Sequence, residues 1–270
     1  MNTSPQTQLR RRALLGAAAA ASFTGSAWTG AAGAASLPDL VATARPSVLP
    51  VGTFNATESP RFGFRGSGFV VADARGEGTL VATNFHVLPA GADTDSGVRM
   101  AVLPGRGSGD GQARLARVVA TDRVRDLALL RIEGAPLPGL ALADAGAARE
   151  GQDIALMGYP IGGVLGYSVV THRGIVSSVT TGALPAPTAS QLDPRAVSRL
   201  RQGNFELLQL DATAYPGNSG GPVLDVGTSR VLGIVSMVLV KGSRESALSS
   251  PTGITYAVPV AYLRELLREL

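Results

Sequence analysis

The stretch Asp211–Asp225, DATAYPGNSGGPVLD, sets one serine, Ser219, among residues that shape backbone rather than fill a core. Gly217, Gly220 and Gly221 admit positive φ or close approach, while Pro216 and Pro222 fix φ and remove two backbone donors. An ordinary tight turn between strands has this composition too. What separates a turn from a reactive site is whether the chain elsewhere supplies what a serine needs. A serine hydroxyl is a weak nucleophile that requires an adjacent base and donors for the oxyanion it creates.

The chain has two histidines to offer as that base. His86 follows the strand-like run GTLVA in the segment ATNFHVL, where a strand end presents a side chain to a cleft. His172 lies in VVTHRGIV beside Arg173 and reads as a surface or satisfied core residue. A basic imidazole is held in one tautomer by a carboxylate on its other nitrogen. Asp126, opening the apolar run RDLALLRI, is the candidate for that carboxylate. An aspartate at a strand start also serves as a turn former, which is the reading for Asp122. The order along the chain is His86, Asp126, Ser219. It matches the chymotrypsin-like double barrel and differs from the orders of subtilisin and the α/β-hydrolases. An esterase on an α/β-hydrolase scaffold is further disfavoured because Ser219 is flanked as G-N-S-G-G rather than G-x-S-x-G.

Composition narrows the remaining classes. With 270 residues, 45% of them hydrophobic and 16% charged, the chain has enough apolar material for one large or two small globular units. Cysteine is absent, which excludes disulfides, thiolate nucleophiles and cysteine-based zinc sites. The two histidines are far apart in sequence, so a catalytic metal is not expected, nor is any cofactor.

Residues 1–34 differ from the rest. Arg10, Arg11 and Arg12 precede the apolar run ALLGAAAAASFTGSAW, and small residues follow as far as Ala32-Gly33-Ala34. Basic end, short apolar region and A-x-A site are the parts of an export signal, and the arginine pair is twin-arginine-like. The run is shorter than the ~20 residues of a membrane span. Cleavage near residue 34 predicts an exported protein, periplasmic or secreted, with no stable membrane insertion. Removing the three arginines from the 24 basic residues leaves 21 against 20 acidic ones. A nearly neutral body carries no electrostatic footprint for nucleic acid.

Residues 35–270 read as short strands between turn residues: SGFVVA (67–72), GTLVA (78–82), LALLRI (127–132), DIALMG (153–158), IVSSV (175–179) and VLGIVSMVL (231–239). Their length and β-branched content predict an all-β barrel or sandwich. One helix is predicted, over Val260–Leu270, with Leu263, Leu266, Leu267 and Leu270 at helical spacing against the last sheet. Thr181–Asn204, with three prolines, reads as a long loop.

The segments ATNFHVL, RDLALLRI and DATAYPGNSGGPVLD resemble the catalytic blocks of the HtrA (Deg) serine proteases, a branch of the trypsin-like fold. ARPSVLPVG, RGSGFVV, MGYPIGG, RGIVSSV, VLGIVS and GITYAVPVAYLREL are similar to that family as well, in the family's order. The resemblance implies a chymotrypsin/trypsin-like double β-barrel with a C-terminal helix. It implies His86 as general base, Asp126 as its orienter and Ser219 as nucleophile, with the oxyanion hole formed at Gly217, Asn218 and Ser219. Substrate would meet Thr213, Ala214, Tyr215 and Pro216 before the nucleophile and Val235, Ser236 and Met237 after it. None of these is charged, so a small or aliphatic P1 residue is expected. For Met237 the core reading stands ahead of the pocket reading. The implied partners are polypeptide substrates and further copies of the chain, the family often forming trimers. With the chain ending at Leu270, a protease domain without a PDZ domain is expected. The reading of a different class is a latent, protease-like domain that binds polypeptides; the complete set of His86, Asp126, Ser219 and Gly217 favours the enzyme.

Overall fold

In a computed structural model the protein is described over residues 36–89, 99–105, 113–160, 162, 166–182, 205–236 and 253–270. The expected export signal, most of the loop to Asn204, and Met237 lie outside the described residues.

The first element was not anticipated from periodicity. Helix α1 (Leu37–Ala44) starts at Ser36, whose hydroxyl accepts from the Asp39 N–H at 3.4 Å and donates to the Asp39 carboxylate at 2.5 Å. The signal was present in the sequence as S-x-x-D with a proline in the first turn.

Fourteen strands follow among the described residues. In the first barrel they are β1 (Val48–Phe54), β2 (Phe62–Val71), β4 (Leu80–Thr83), β5 (Arg99–Val102), β6 (Arg114–Asp122) and β7 (Leu127–Ile132). They close in the order β1-β2-β4-β7-β6-β5. Two short strands, β3 (Glu77–Gly78) and β8 (Leu137–Pro138), pair beside them. The second barrel comprises β9 (Asp153–Gly158), β10 (Val170–Gly182), β11 (Phe205–Asp211), β12 (Pro222–Asp225), β13 (Val231–Ser236) and β14 (Ile254–Pro259). It closes as β10-β11-β14-β13-β12-β9, again antiparallel throughout. This is the double β-barrel that the sequence resemblance implies. β7 and β9 occupy the predicted residues; β10 is much longer than IVSSV, because polar Thr171 and Arg173 alternate with its buried face and conceal it.

Period-two alternation explains how the barrels are filled and joined. Within β7, Ala128, Leu130 and Ile132 belong to a cluster with Leu49, Val51, Val70 and Val81, the filling of the first barrel. The alternate residues Leu127 and Leu129 join a cluster with Ile154, Leu156 and Val235 of the second barrel. A strand buried on both faces reads as a nearly continuous apolar run, which LALLRI is over Leu127–Leu130 before the half-buried Arg131. Tyr159 adds a polar tie, donating its hydroxyl to the Val48 carbonyl at 2.9 Å; burial pushes that phenol's pKa up.

Helix α2 (Val260–Arg268) buries Val260, Leu263 and Leu266, while Leu270 beyond its end is exposed. Its Arg264 donates to the carbonyls of Ala143 at 2.7 Å and Leu142 at 3.1 Å. The ring of Tyr262 lies 4.2 Å beneath the Arg125 guanidinium, one residue from Asp126. The helix therefore covers more than the last sheet, as it also steadies the segment leading into β7. No helix among the described residues is long and apolar enough to cross a membrane.

Candidate active site

His86 sits in a 3₁₀ turn (Phe85–Val87) directly after β4. Asp126 sits at the entrance to β7, with φ of 57° and a relative exposure of 6%. Aspartate is among the few non-glycine residues that tolerate this left-handed backbone. That conformation turns the carboxylate back onto the His86 turn. Oδ2 lies 2.7 Å from the His86 Nδ1, and Oδ1 accepts the His86 backbone N–H at 2.9 Å. The Asp126 carbonyl in turn accepts from the Asn84 amide at 3.0 Å and from the Phe85 N–H at 3.1 Å. Asn84, Phe85 and His86 are thus all tied to one aspartate. Asp122, by contrast, accepts from the N–H groups of Val124 and Arg125, each at 3.0 Å, and is a turn former.

A further donor to Asp126 comes from the other barrel. The Ser236 hydroxyl donates to Oδ2 at 3.0 Å. Ser236, which is expected to meet substrate, has its hydroxyl engaged on this carboxylate. With the carboxylate on Nδ1, the imidazole keeps its Nε2 for chemistry.

Ser219, 5% exposed, lies in the turn between β11 and β12. Gly217 has φ of 104° and Gly220 φ of 85°. A Cβ on Gly220 would come within 2.1 Å of the Ser67 carbonyl, so close passage is obligatory there. The amides of this turn divide into two sets. Asn218 N–H donates to Tyr215 O at 3.0 Å, Gly220 N–H to Val235 O at 2.9 Å and Gly221 N–H to Asn218 O at 2.9 Å. Among the described residues, neither the Gly217 nor the Ser219 N–H donates to a protein acceptor. Those two are the donors the sequence reading nominated for an oxyanion, with Asn218 between them committed elsewhere. The Asn218 side chain is fully buried, and neither of its amide atoms has a partner among the described residues.

The two halves converge at Gly66, where a Cβ would stand 2.7 Å from the Val87 Cγ2 and 3.1 Å from the Ser219 carbonyl. No hydrogen bond joins the Ser219 hydroxyl to the His86 ring among the described residues. In ligand-free sites such bonds are often long and tighten when substrate binds.

Among the other expected contact residues, Ala214 is buried, and Thr213, Tyr215 and Pro216 are partly so. The Tyr215 ring packs 5.9 Å from that of His172 on β10. His172 is not the satisfied residue anticipated, since its Nε2 is buried without a partner among the described residues. Burial holds its imidazole below the ordinary 6.5. A cavity of about 580 Å³ lies apart from these residues, lined by Arg45, Val48, Leu137, Tyr159, Tyr167 and Val169 among others. None of His86, Asp126 and Ser219 contributes to its wall.

Known proteins resemble the chain in sequence and in fold. The family model of the trypsin-like peptidase domain matches residues 66–234. The chain is 34% identical over 203 residues to the mitochondrial serine protease HTRA2 of Bos taurus, covering 75% of this chain and 35% of that protein. It is 30% identical over 207 residues to a probable periplasmic serine endoprotease, DegP-like, of Chlamydia trachomatis serovar D, covering 76% and 33%. The chain thus spans about a third of the length of these curated relatives. The crystal structure of Deg5 superposes with a TM-score of 0.59 at 25% identity, covering 84% of this chain and 90% of that one. The HtrA-type protease AlgW with decapeptide shares the fold, with a TM-score of 0.58 at 24% identity over 86% of this chain and 66% of that one. The chain belongs to the trypsin-like peptidase family, as an HtrA-type member.

Proposed function

We propose that this protein is an exported serine endopeptidase that cleaves unfolded or exposed polypeptide segments in the cell envelope. The observation that carries the reading is the 2.7 Å contact of Asp126 with the His86 Nδ1, next to a serine turn with two unclaimed amides. His86 Nε2 takes the proton from the Ser219 hydroxyl as Oγ attacks the scissile carbonyl carbon. The carbonyl oxygen becomes an oxyanion between the N–H groups of Gly217 and Ser219. As the intermediate collapses, the C–N bond breaks and the imidazolium gives its proton to the leaving amine, leaving an acyl ester on Ser219. Water, deprotonated by the same imidazole, then hydrolyses the ester and restores the hydroxyl.

Substrate choice follows from Thr213, Ala214, Tyr215, Pro216, Val235 and Ser236, a set with no charge. A basic or acidic P1 side chain would be desolvated there without a partner, so small or aliphatic P1 residues are preferred. Residues 1–34 serve as the export signal, residues 35–270 as the protease domain, and the chain assembles as a homo-oligomer.

A latent polypeptide-binding domain is the second reading, favoured by the missing bond between Ser219 and His86. Labelling with a fluorophosphonate and casein hydrolysis decide between them. The endopeptidase reading expects both, abolished in Ser219→Ala and His86→Ala. A folded wild-type protein that does neither supports the binding domain.

A further inference from the structure

Three consecutive residues of β2 stand between the two halves of the site. The ladder pairs Val51 with Gly66 and then Gly52 with Phe64, so Arg65 is the extra residue of a β-bulge. Bulges re-aim side chains and recur beside active sites. Arg65 reaches the loop after the base, donating through Nε to the Val87 carbonyl at 2.5 Å and through Nη2 to that of Leu88 at 3.2 Å. Gly66 supplies the space in which Val87 and the Ser219 carbonyl approach each other.

Ser67 then faces the nucleophile's turn. Its N–H donates to the Ser219 carbonyl at 2.8 Å. Its hydroxyl donates to the Gly217 carbonyl at 2.6 Å and accepts the Tyr159 N–H at 2.9 Å. The Tyr159 donor occupies a lone pair, which commits the hydroxyl hydrogen to Gly217. Ser67 is itself fully buried, and its carbonyl accepts from the Thr83 hydroxyl at 2.7 Å. Its own position is therefore fixed at every polar atom.

These bonds immobilise two peptide planes of the turn. The plane from Gly217 to Asn218 is held at its carbonyl by the Ser67 hydroxyl and at its N–H by Tyr215. The plane from Ser219 to Gly220 is held at its carbonyl by the Ser67 N–H and at its N–H by Val235. The two unclaimed amides, at Gly217 and Ser219, adjoin these clamped planes. Glycine at 217 leaves the backbone free to rotate, so something outside the turn must choose one orientation.

We propose that Ser67 is a positioning residue that aims the Gly217 and Ser219 amides at the substrate oxygen, acting from the first barrel through its hydroxyl. It touches no reacting atom. The inference rests on the endopeptidase reading above and adds to it a residue that neither the catalytic set nor the expected oxyanion donors contain.

The test is Ser67→Ala, which removes one oxygen, adds nothing and keeps the N–H bond to Ser219. Turnover of a peptide substrate is measured per active site titrated with fluorophosphonate. The expected result is a kcat lowered about 10- to 100-fold, less than the ~10²–10³ for outright loss of an oxyanion donor, with KM within about threefold of wild type. A merely structural role would lower the titratable fraction or the melting temperature and leave kcat per titrated site unchanged. A kcat per site within twofold of wild type overturns the proposal. If wild-type protein neither labels nor cleaves, the endopeptidase reading has failed, and amide hydrogen exchange still reads the clamp. The segment 213–221 should then exchange at least about tenfold faster in Ser67→Ala, with β9 unchanged; equal protection in the two proteins overturns it.

Discussion

The hydroxyl of Ser236 donates to the Oδ2 of Asp126 at 3.0 Å, the same oxygen that meets the His86 Nδ1 at 2.7 Å. A carboxylate of the first barrel is thus steadied by a strand of the second. One residue earlier, the Val235 carbonyl accepts the Gly220 N–H beside Ser219. The end of β13 therefore links the aspartate to the serine turn, and a shift of one barrel against the other would break the Ser236–Asp126 bond.

Ser236→Ala tests that support. A hydrogen bond to a charged group is worth about 1.5–3 kcal/mol, and part of this is replaced by the His86 bonds that remain. The expected outcome is a kcat/KM reduced about tenfold on a peptide substrate with an unchanged circular dichroism spectrum. Full activity in the variant would mean that His86 alone holds the carboxylate.

Asp126→Asn keeps the backbone, because asparagine accepts the left-handed conformation observed at φ of 57°. It removes the negative charge from the His86 Nδ1 and presents the imidazole in the wrong tautomer. Such an exchange in a Ser-His-Asp set costs about 10⁴ in kcat. Steady-state kinetics with a melting curve in parallel checks this, and a loss below about tenfold would remove Asp126 from the orienting role.

Gly217→Val places a β-branched residue at φ of 104°, a region that side chains rarely occupy. Strain of about 1–3 kcal/mol is relieved by turning the peptide, which withdraws an oxyanion donor. Turnover should fall at least about 10²-fold while the barrels stay folded. Wild-type hydrolysis of casein by this variant would refute the assignment.

His172 supplies a pH dependence with a definite sign. Burial lowers its folded pKa below the ordinary 6.5 that applies when the chain is unfolded. The unfolded chain therefore takes up the proton first on acidification, so stability is complete above about 6.5 and declines as the pH falls from there toward the folded value. Its neighbour Arg173 is a cation, paired with Asp153 at 3.3 Å, and supplies no counter-charge. Melting temperatures from pH 7.5 to 5 should fall more steeply for wild type than for His172→Leu. Parallel slopes would show that His172 titrates alike in both states.

Much of the architecture was legible because it rests on local chemistry. LALLRI and DIALMG are apolar on both faces over Leu127–Leu130 and Ile154–Met157 and read as interior strands, and the order His86, Asp126, Ser219 pointed to the double barrel. The C-terminal helix followed from leucine spacing. β10 was underestimated because one of its faces carries Thr171 and Arg173, and α1 was overlooked although Ser36 and Asp39 form its cap. Ser67 in RGSGFVV carries no local signal, since nothing in a strand's periodicity says that a buried serine reaches across to another barrel.

The sequence by itself determined which residues are chemically able to react and the order in which the chain presents them, because nucleophile, base and turn glycines are properties of residue type and short-range spacing. The tertiary structure decided which hydroxyls support them. Ser67 and Ser236 act on Gly217 and Asp126, 150 and 110 residues away. Hydrogen bonds extend over about 3 Å, so partners that far apart in the chain are defined only when the two barrels have packed.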